Sequence, residues 1–272
     1  MLKGTAMDLR AIGVFDSGLG GLTAVSALEK LMPNQDIVYL ADTARVPYGS
    51  KSKDELLKCA DEDIAFLLSK NVKLIIIACG TVSSTLSEEQ INSFSVPVIS
   101  VLNGAAFAAV KQSRGKIGII ATEASVKSGA YKKKILKASP NSEVLAVACP
   151  KLVPLIEDGG FDGQNREVEA ALNEYLLPLK EAKIDTLILG CTHYPLLNKQ
   201  IEKIIPSVSL IDVGKEAARA ANEVISQKEM FRENKKGKTT FYVSGDCESF
   251  KKNAARFLGR DIDEVKKAVL SE

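Results

Sequence analysis

The chain is poor in the residues that build metal centres and disulfide scaffolds. It has one histidine, His193, and five widely spaced cysteines, at 59, 79, 149, 191 and 247, with no CxxC pair. A structural zinc site needs four closely organised thiolate or imidazole ligands, and a disulfide framework needs an even set, so neither is expected. The cysteines read as free thiols, and only its surroundings can make one of them special. Charge of one sign is not in excess either: 36 Lys plus Arg stand against 34 Asp plus Glu, a formal +2. That balance argues against a nucleic-acid partner and against a basic membrane face. Long hydrophobic runs are also missing. Apolar stretches such as residues 74–79 fall far short of the about 20 residues that span a bilayer, and residues 1–10 lack the apolar core of a signal peptide. The expected setting is the cytoplasm.

What the chain does have is alternation. Short β-branched runs, at residues 11–15, 36–40, 72–78 and 96–101 in the first half and 116–120, 143–148, 186–190 and 209–212 in the second, are separated by longer amphipathic stretches such as 53–70 and 166–177. A late run follows at 239–243. This is the pattern of βαβ units and mostly parallel sheets. The lysine-rich stretches at 235–238 and 132–134 have no interleaved aromatics and read as solvated surface.

The two halves resemble each other. Ile12-Gly13-Val14 is echoed by Ile117-Gly118-Ile119, the run ending at Cys79 by the run ending at Cys191, and Val98-Ile99-Ser100-Val101 by Leu210-Ile211-Asp212-Val213, at offsets of 105, 112 and 112 positions. The predicted fold is α/β: two pseudo-symmetric three-layer lobes with mostly parallel sheets and a site in the crevice between them. The expected division is residues 1–101 plus 213–272, carrying Cys79, and 102–212, carrying Cys191.

Four motifs fall where strands end. Phe15-Asp16-Ser17-Gly18-Leu19-Gly20-Gly21 can be a tight turn capped by Asp or Ser, or a helix start whose free amides hold an anion. It is neither a Walker loop nor a GxGxxG fingerprint. Asp42-Thr43-Ala44-Arg45-Val46-Pro47-Tyr48-Gly49 is turn-like, but it lies at the strand end where α/β sheets bind ligands. Ile77-Ala78-Cys79-Gly80-Thr81 and Gly190-Cys191-Thr192-His193-Tyr194 belong together. One strand-end cysteine is commonly apolar filler. Two at matching positions of two repeats, each leading into hydroxyl-bearing residues, suit a different task.

That task is moving a proton on and off opposite faces of one carbon. A thiolate on one face removes it, and a thiol on the other supplies a replacement. Free cysteine has a pKa of about 8.5, so neighbouring groups must tune each sulfur. Asp16 beside one cysteine and His193 beside the other are the tuning or relay candidates, although a histidine there can also simply brace a loop.

Over nearly its full length the chain resembles the glutamate racemases of the aspartate/glutamate racemase superfamily. The resemblance is carried by the block from Gly190 to Leu196, by the block from Phe15 to Gly21, and by Pro47-Tyr48-Gly49. It implies catalytic roles for Cys79 and Cys191, assisted by Asp16 and His193, and substrate contacts from Asp16, Ser17, Tyr48, Gly49, Gly80, Thr81, Thr192 and His193. Cys149-Pro150-Lys151-Leu152-Val153-Pro154-Leu155-Ile156-Glu157 resembles a family segment whose glutamate lies near the second cysteine, making Glu157 a further catalytic candidate. The block from Gly118 to Ser125 resembles a strand-end loop that adds Thr122. The resemblance further implies glutamate as the amino-acid substrate, no cofactor and no metal, a homodimer, and a role in supplying D-glutamate for peptidoglycan in a bacterial cytoplasm.

One departure stands out. The family's usual Ala-Cys-Asn-Thr is Ala78-Cys79-Gly80-Thr81 here, and loss of an amide contact to a bound amino acid costs about 1 to 3 kcal/mol if nothing replaces it. Two alternatives therefore stand beside glutamate racemisation. One is an aspartate or other amino-acid racemase of the same superfamily, and the other is a non-catalytic two-lobed amino-acid binding or regulatory protein.

Overall fold

The computed structural model describes residues 8–161, 163–230 and 235–270. Its ten strands are β1 (Ile12–Asp16), β2 (Ile37–Ala41), β3 (Leu74–Ile77), β4 (Val98–Ser100), β5 (Lys116–Ala121), β6 (Glu143–Ala148), β7 (Thr186–Leu189), β8 (Ser209–Asp212), β9 (Thr239–Val243) and β10 (Val265–Lys267). They form a six-stranded sheet in the order β10-β9-β2-β1-β3-β4 and a four-stranded sheet in the order β6-β5-β7-β8. Every pairing is parallel.

The predicted repeat is visible in that order. The run β2-β1-β3-β4 has the same path as β6-β5-β7-β8, so β1 corresponds to β5 and β3 to β7. Ile12 pairs with Leu74 across β1 and β3, and Ile117 pairs with Thr186 across β5 and β7. Observed strand limits lie within a few residues of the expected ones. The short edge strand β10, made of Val265, Lys266 and Lys267 with mostly exposed side chains, was not expected: it carries no apolar alternation and is held by backbone pairing to β9.

The inner strands are apolar on both faces because both faces are covered. Along β1, Ile12 and Val14 face a central core while Phe15 faces an outer one. The outer core of the larger sheet is closed by the helix Lys53–Ser69, through Leu56, Ile64 and Leu67. That of the smaller sheet is closed by the helix Arg166–Glu181, through Leu172, Leu176 and Leu179. The central core draws on both sheets, with Ile76 and Ile99 from one and Ile119, Ile188 and Ile211 from the other. Between the sheets lie the helices Leu22–Leu31, Val101–Gln112 and Val213–Gln227.

These inner helices pack closely because small residues line their contact. Ala217, Ala218 and Ala221 are buried, and Gly214 lies so near the helix Leu22–Leu31 that an added Cβ would come 3.0 Å from the Ala24 amide nitrogen and 3.1 Å from its Cα. Backbone cannot step aside as a side chain can. Gly214→Val is therefore expected to lower stability by about 1 to 3 kcal/mol, read in urea as a lower midpoint at unchanged slope.

Candidate active site

In a parallel sheet the segments leaving the carboxyl ends of the strands gather at one edge. Here those edges converge on a cavity of about 380 Å³, within the size range of small-molecule sites. Asp16 ends β1 and Ser17 follows it, Tyr48 and Gly49 lie beyond β2, and Cys79, Gly80 and Thr81 follow β3. From the smaller sheet, Thr122 follows β5, Cys149 follows β6, and Cys191, Thr192 and His193 follow β7; Glu157 comes from the end of the helix Leu152–Glu157. Every site residue named from the sequence thus borders one cavity. The two motif cysteines sit at equivalent points of the repeat, one from each sheet.

The surroundings of the two thiols differ. Cys79 is 4% exposed, and its thiol donates a long hydrogen bond to Ser17 Oγ at 3.9 Å. Burial, then the nearby Asp16 carboxylate, push it up to about 12, against the backbone amide of Val82; the Cys191 sulfur adds to the rise. Across the cavity, Cys191 Sγ lies 3.7 Å from His193 Nδ1, and the opposite ring nitrogen, Nε2, lies 2.9 Å from Glu157 Oε1. Burial opposes the imidazolium, but Cys191, Glu157 and Asp16 together outweigh it and raise His193 to about 10. At neutral pH His193 is therefore a cation and donates through both nitrogens, toward sulfur on one side and carboxylate on the other.

Asp16 links the two halves. Its Oδ1 accepts from the Gly21 amide at 2.8 Å and from the Thr192 hydroxyl at 3.3 Å. Burial raises the Asp16 pKa and so weakens the acid, while His193, the Gly21 amide and Thr192 work against that rise. Of the two readings of this turn, a tight capped turn or a helix start with free amides, the bonding from Gly21 to Ala24 fits the first. Gly21 N–H is taken by Asp16, and the amides of Leu22, Thr23 and Ala24 are bonded to carbonyls of Leu19, Gly20 and Gly21, because the chain tightens before entering the helix Leu22–Leu31. Two further hydrogen bonds cross the cleft: the Thr81 and Thr122 hydroxyls at 3.1 Å, and the Thr23 hydroxyl to the Thr192 carbonyl at 2.9 Å.

Gly80 has a structural reason. A Cβ at this position would fall well inside contact distance of the Gly190 carbonyl oxygen, so the two thiol-bearing turns meet backbone to backbone. An asparagine could be accommodated only if they moved apart. The cavity is also lined by Val46, Ser50, Glu123, Cys149, Pro150, Val153 and Pro154; all but Ser50 belong to motifs or family-like segments of the sequence, though none was expected to touch substrate. Cys149 had a signal, since it follows β6 as Asp42 follows β2 in the repeat. Its thiol is pushed up to about 12 by burial and by Cys191. Among the described residues no cluster of three or more His, Cys, Asp or Glu side chains is arranged to hold a metal ion, and no helix is long and apolar enough to cross a membrane.

The family model for Asp/Glu/hydantoin racemases matches residues 23–221. The chain belongs to this racemase family. Among its relatives, the glutamate racemase of Carboxydothermus hydrogenoformans is 41% identical over 256 residues, covering 94% of this chain and 95% of that protein. Solved racemase structures agree. The Francisella tularensis glutamate racemase in complex with D-glutamate superposes with a TM-score of 0.89 at 36% identity, covering 97% of this chain and 98% of that one. The Thermus thermophilus glutamate racemase in complex with β-chloro-D-alanine gives 0.87 at 37% identity, covering 96% and 98%.

The raised His193 fixes the sign of a pH effect in this racemase-family protein. A group with a folded-state pKa of about 10, above its ordinary 6.5, contributes stability that is complete below the lower value and lost as pH rises through the higher one. The stability gap between wild type and His193→Asn should therefore be widest near about pH 6 and narrow toward about pH 10, measured by denaturant unfolding across that window.

Proposed function

We propose that the protein interconverts L- and D-glutamate by passing the α-proton between Cys79 and Cys191, with neither pyridoxal phosphate nor a metal. The observation that carries this reading is the shared cavity: two sulfurs from equivalent turns of two sheets border one space of small-molecule size. The high identity to glutamate racemases supports glutamate as substrate.

Racemisation then runs as one exchange. The thiolate of one cysteine takes the α-hydrogen as a proton, leaving its bonding pair on a planar, carbanion-like carbon. The thiol on the opposite face gives its proton to that carbon and becomes the new thiolate, so atoms and charge balance and the two sulfurs swap roles. Cys79, held protonated by burial and Asp16, starts as the acid. Cys191, next to the His193 imidazolium, starts as the base, and Glu157 keeps that ring oriented. Asp16 restrains charge near Cys79, while Ser17, Tyr48, Gly49, Gly80, Thr81, Thr122 and Thr192 form the surface against which the amino acid is held.

The proposal extends to the molecule as a whole. The lobes are residues 1–101 plus 213–272 and 102–212, the enzyme works as a homodimer in a bacterial cytoplasm, and its D-glutamate supplies peptidoglycan synthesis.

Cys79→Ser and Cys191→Ser should each lower kcat by about 10² to 10⁴-fold while leaving far-UV circular dichroism unchanged. Racemisation is followed polarimetrically with both glutamate enantiomers and with aspartate, alongside deuterium uptake from solvent at the α-carbon. Full activity in either serine variant defeats the two-thiol scheme, and a clear aspartate preference replaces the substrate.

A further inference from the structure

Behind the cavity wall formed by Tyr48 lies a cluster of charges that the proton exchange does not use. Asp42 follows β2, and Asp63 projects from the helix Lys53–Ser69; both are 0% exposed. The Tyr48 phenol donates to Asp42 Oδ2 and also lies 3.2 Å from Asp63 Oδ2. Arg45 reaches Asp42 Oδ2 at 2.5 Å, Asp63 Oδ1 at 3.1 Å and, through its third nitrogen, Glu62. The Ser244 hydroxyl donates to Asp42 Oδ1 at 2.6 Å.

The protons can be counted. A phenol has one, and Tyr48 gives it to Asp42. The contact between Tyr48 and Asp63 is then a hydrogen bond only if Asp63 brings the proton. Charge leads to the same assignment. Three ionised carboxylates around one guanidinium would leave uncompensated negative charge at two fully buried aspartates, Asp42 and Asp63, which is strongly unfavourable. With Asp63 neutral, Arg45 balances Asp42, and Glu62 has Lys58 at 3.8 Å.

We infer that Asp63 is a protonated carboxylic acid that donates to Tyr48, making it a positioning residue that fixes this tyrosine in the wall of the substrate cavity. The chain of donors runs from Asp63 through Tyr48 to Asp42, with Arg45 clamping both ends. Burial and the facing Asp42 hold the Asp63 proton well above the usual carboxylate range and Glu62 adds to this, while Arg45 opposes it; Tyr48 would oppose it only by donating to Asp63, and its one proton goes to Asp42. Cys59, on the same helix, also faces Tyr48; burial keeps it a thiol. The link to substrate binding rests on the proposed racemase reading, whereas the protonation of Asp63 does not.

Two measurements separate these layers. Infrared difference spectra of wild type against Asp63→Asn, at about pH 8 where a free aspartate is fully ionised, should show a neutral carboxylic-acid carbonyl stretch lost in the variant. Absence of that band overturns the inference whether or not the protein racemises anything. In kinetics, Asp63→Asn keeps an N–H donor to Tyr48 and a carbonyl for Arg45, and should retain KM. Asp63→Leu removes the donor and should raise KM for glutamate about tenfold with a smaller change in kcat. The alkaline dependence of KM should also be steeper in wild type than in Asp63→Asn, which keeps the titration of His193 and the thiols but lacks the Asp63 proton. If Asn raises KM as much as Leu, or if KM follows the same pH curve in wild type and Asp63→Asn, Asp63 does not position Tyr48 through a proton. Should Asp63→Leu fail to fold, the infrared band and the Asp63→Asn pH profile still decide.

Discussion

Apolar packing in the middle layer governs where every functional group of this molecule can stand. The helices Leu22–Leu31, Val101–Gln112 and Val213–Gln227 fill the space between the two sheets, and their alanines and Gly214 allow a close approach. A well-packed interior deforms little, so the distance between the sheets is set far from the cavity and delivered to it. The strand-end turns at Gly80 and Gly190 meet backbone to backbone at the end of that layer. Bulk added in the middle layer would be felt at the two sulfurs.

Two chemically distinct environments have been built on nearly symmetric foundations. The turns after β3 and β7 occupy equivalent places, yet one thiol faces serine and a buried carboxylate while the other faces an imidazolium backed by glutamate. The asymmetry comes from what the neighbouring strand end supplies: Asp16 closes β1 where the other half has Ala121 at the end of β5. A repeat fixes position, and the unmatched residues fix charge.

Much of this was legible in the chain because strands buried on both faces must be apolar throughout, and runs such as Leu74-Ile75-Ile76-Ile77 leave little choice. The cysteines stood out through their place in the repeat, and His193 and Glu157 through motif resemblance. What stayed hidden depends on tertiary approach. Asp63 looks like an ordinary acid on an amphipathic helix, yet it faces inward beside Ile64 and Leu67, where Tyr48 and Arg45 supply partners from another segment. The need for glycine at 80 depends on a carbonyl 110 positions further along. The strand β10 is specified by a neighbour's unpaired backbone and not by its own side chains.

The order of strands in the larger sheet has a bearing on how the protein is made. β2 is covered on one side by β1, but its other edge is closed only by β9, in register from Ile37–Thr239 to Ala41–Val243. While the ribosome is still synthesising the intervening residues 42–238, that edge has no partner, and an open parallel edge is a template for other chains. A nascent chain that stalls before residue 239 therefore presents an unfinished sheet, and the segment that carries β9 acts as the closing strip against self-association.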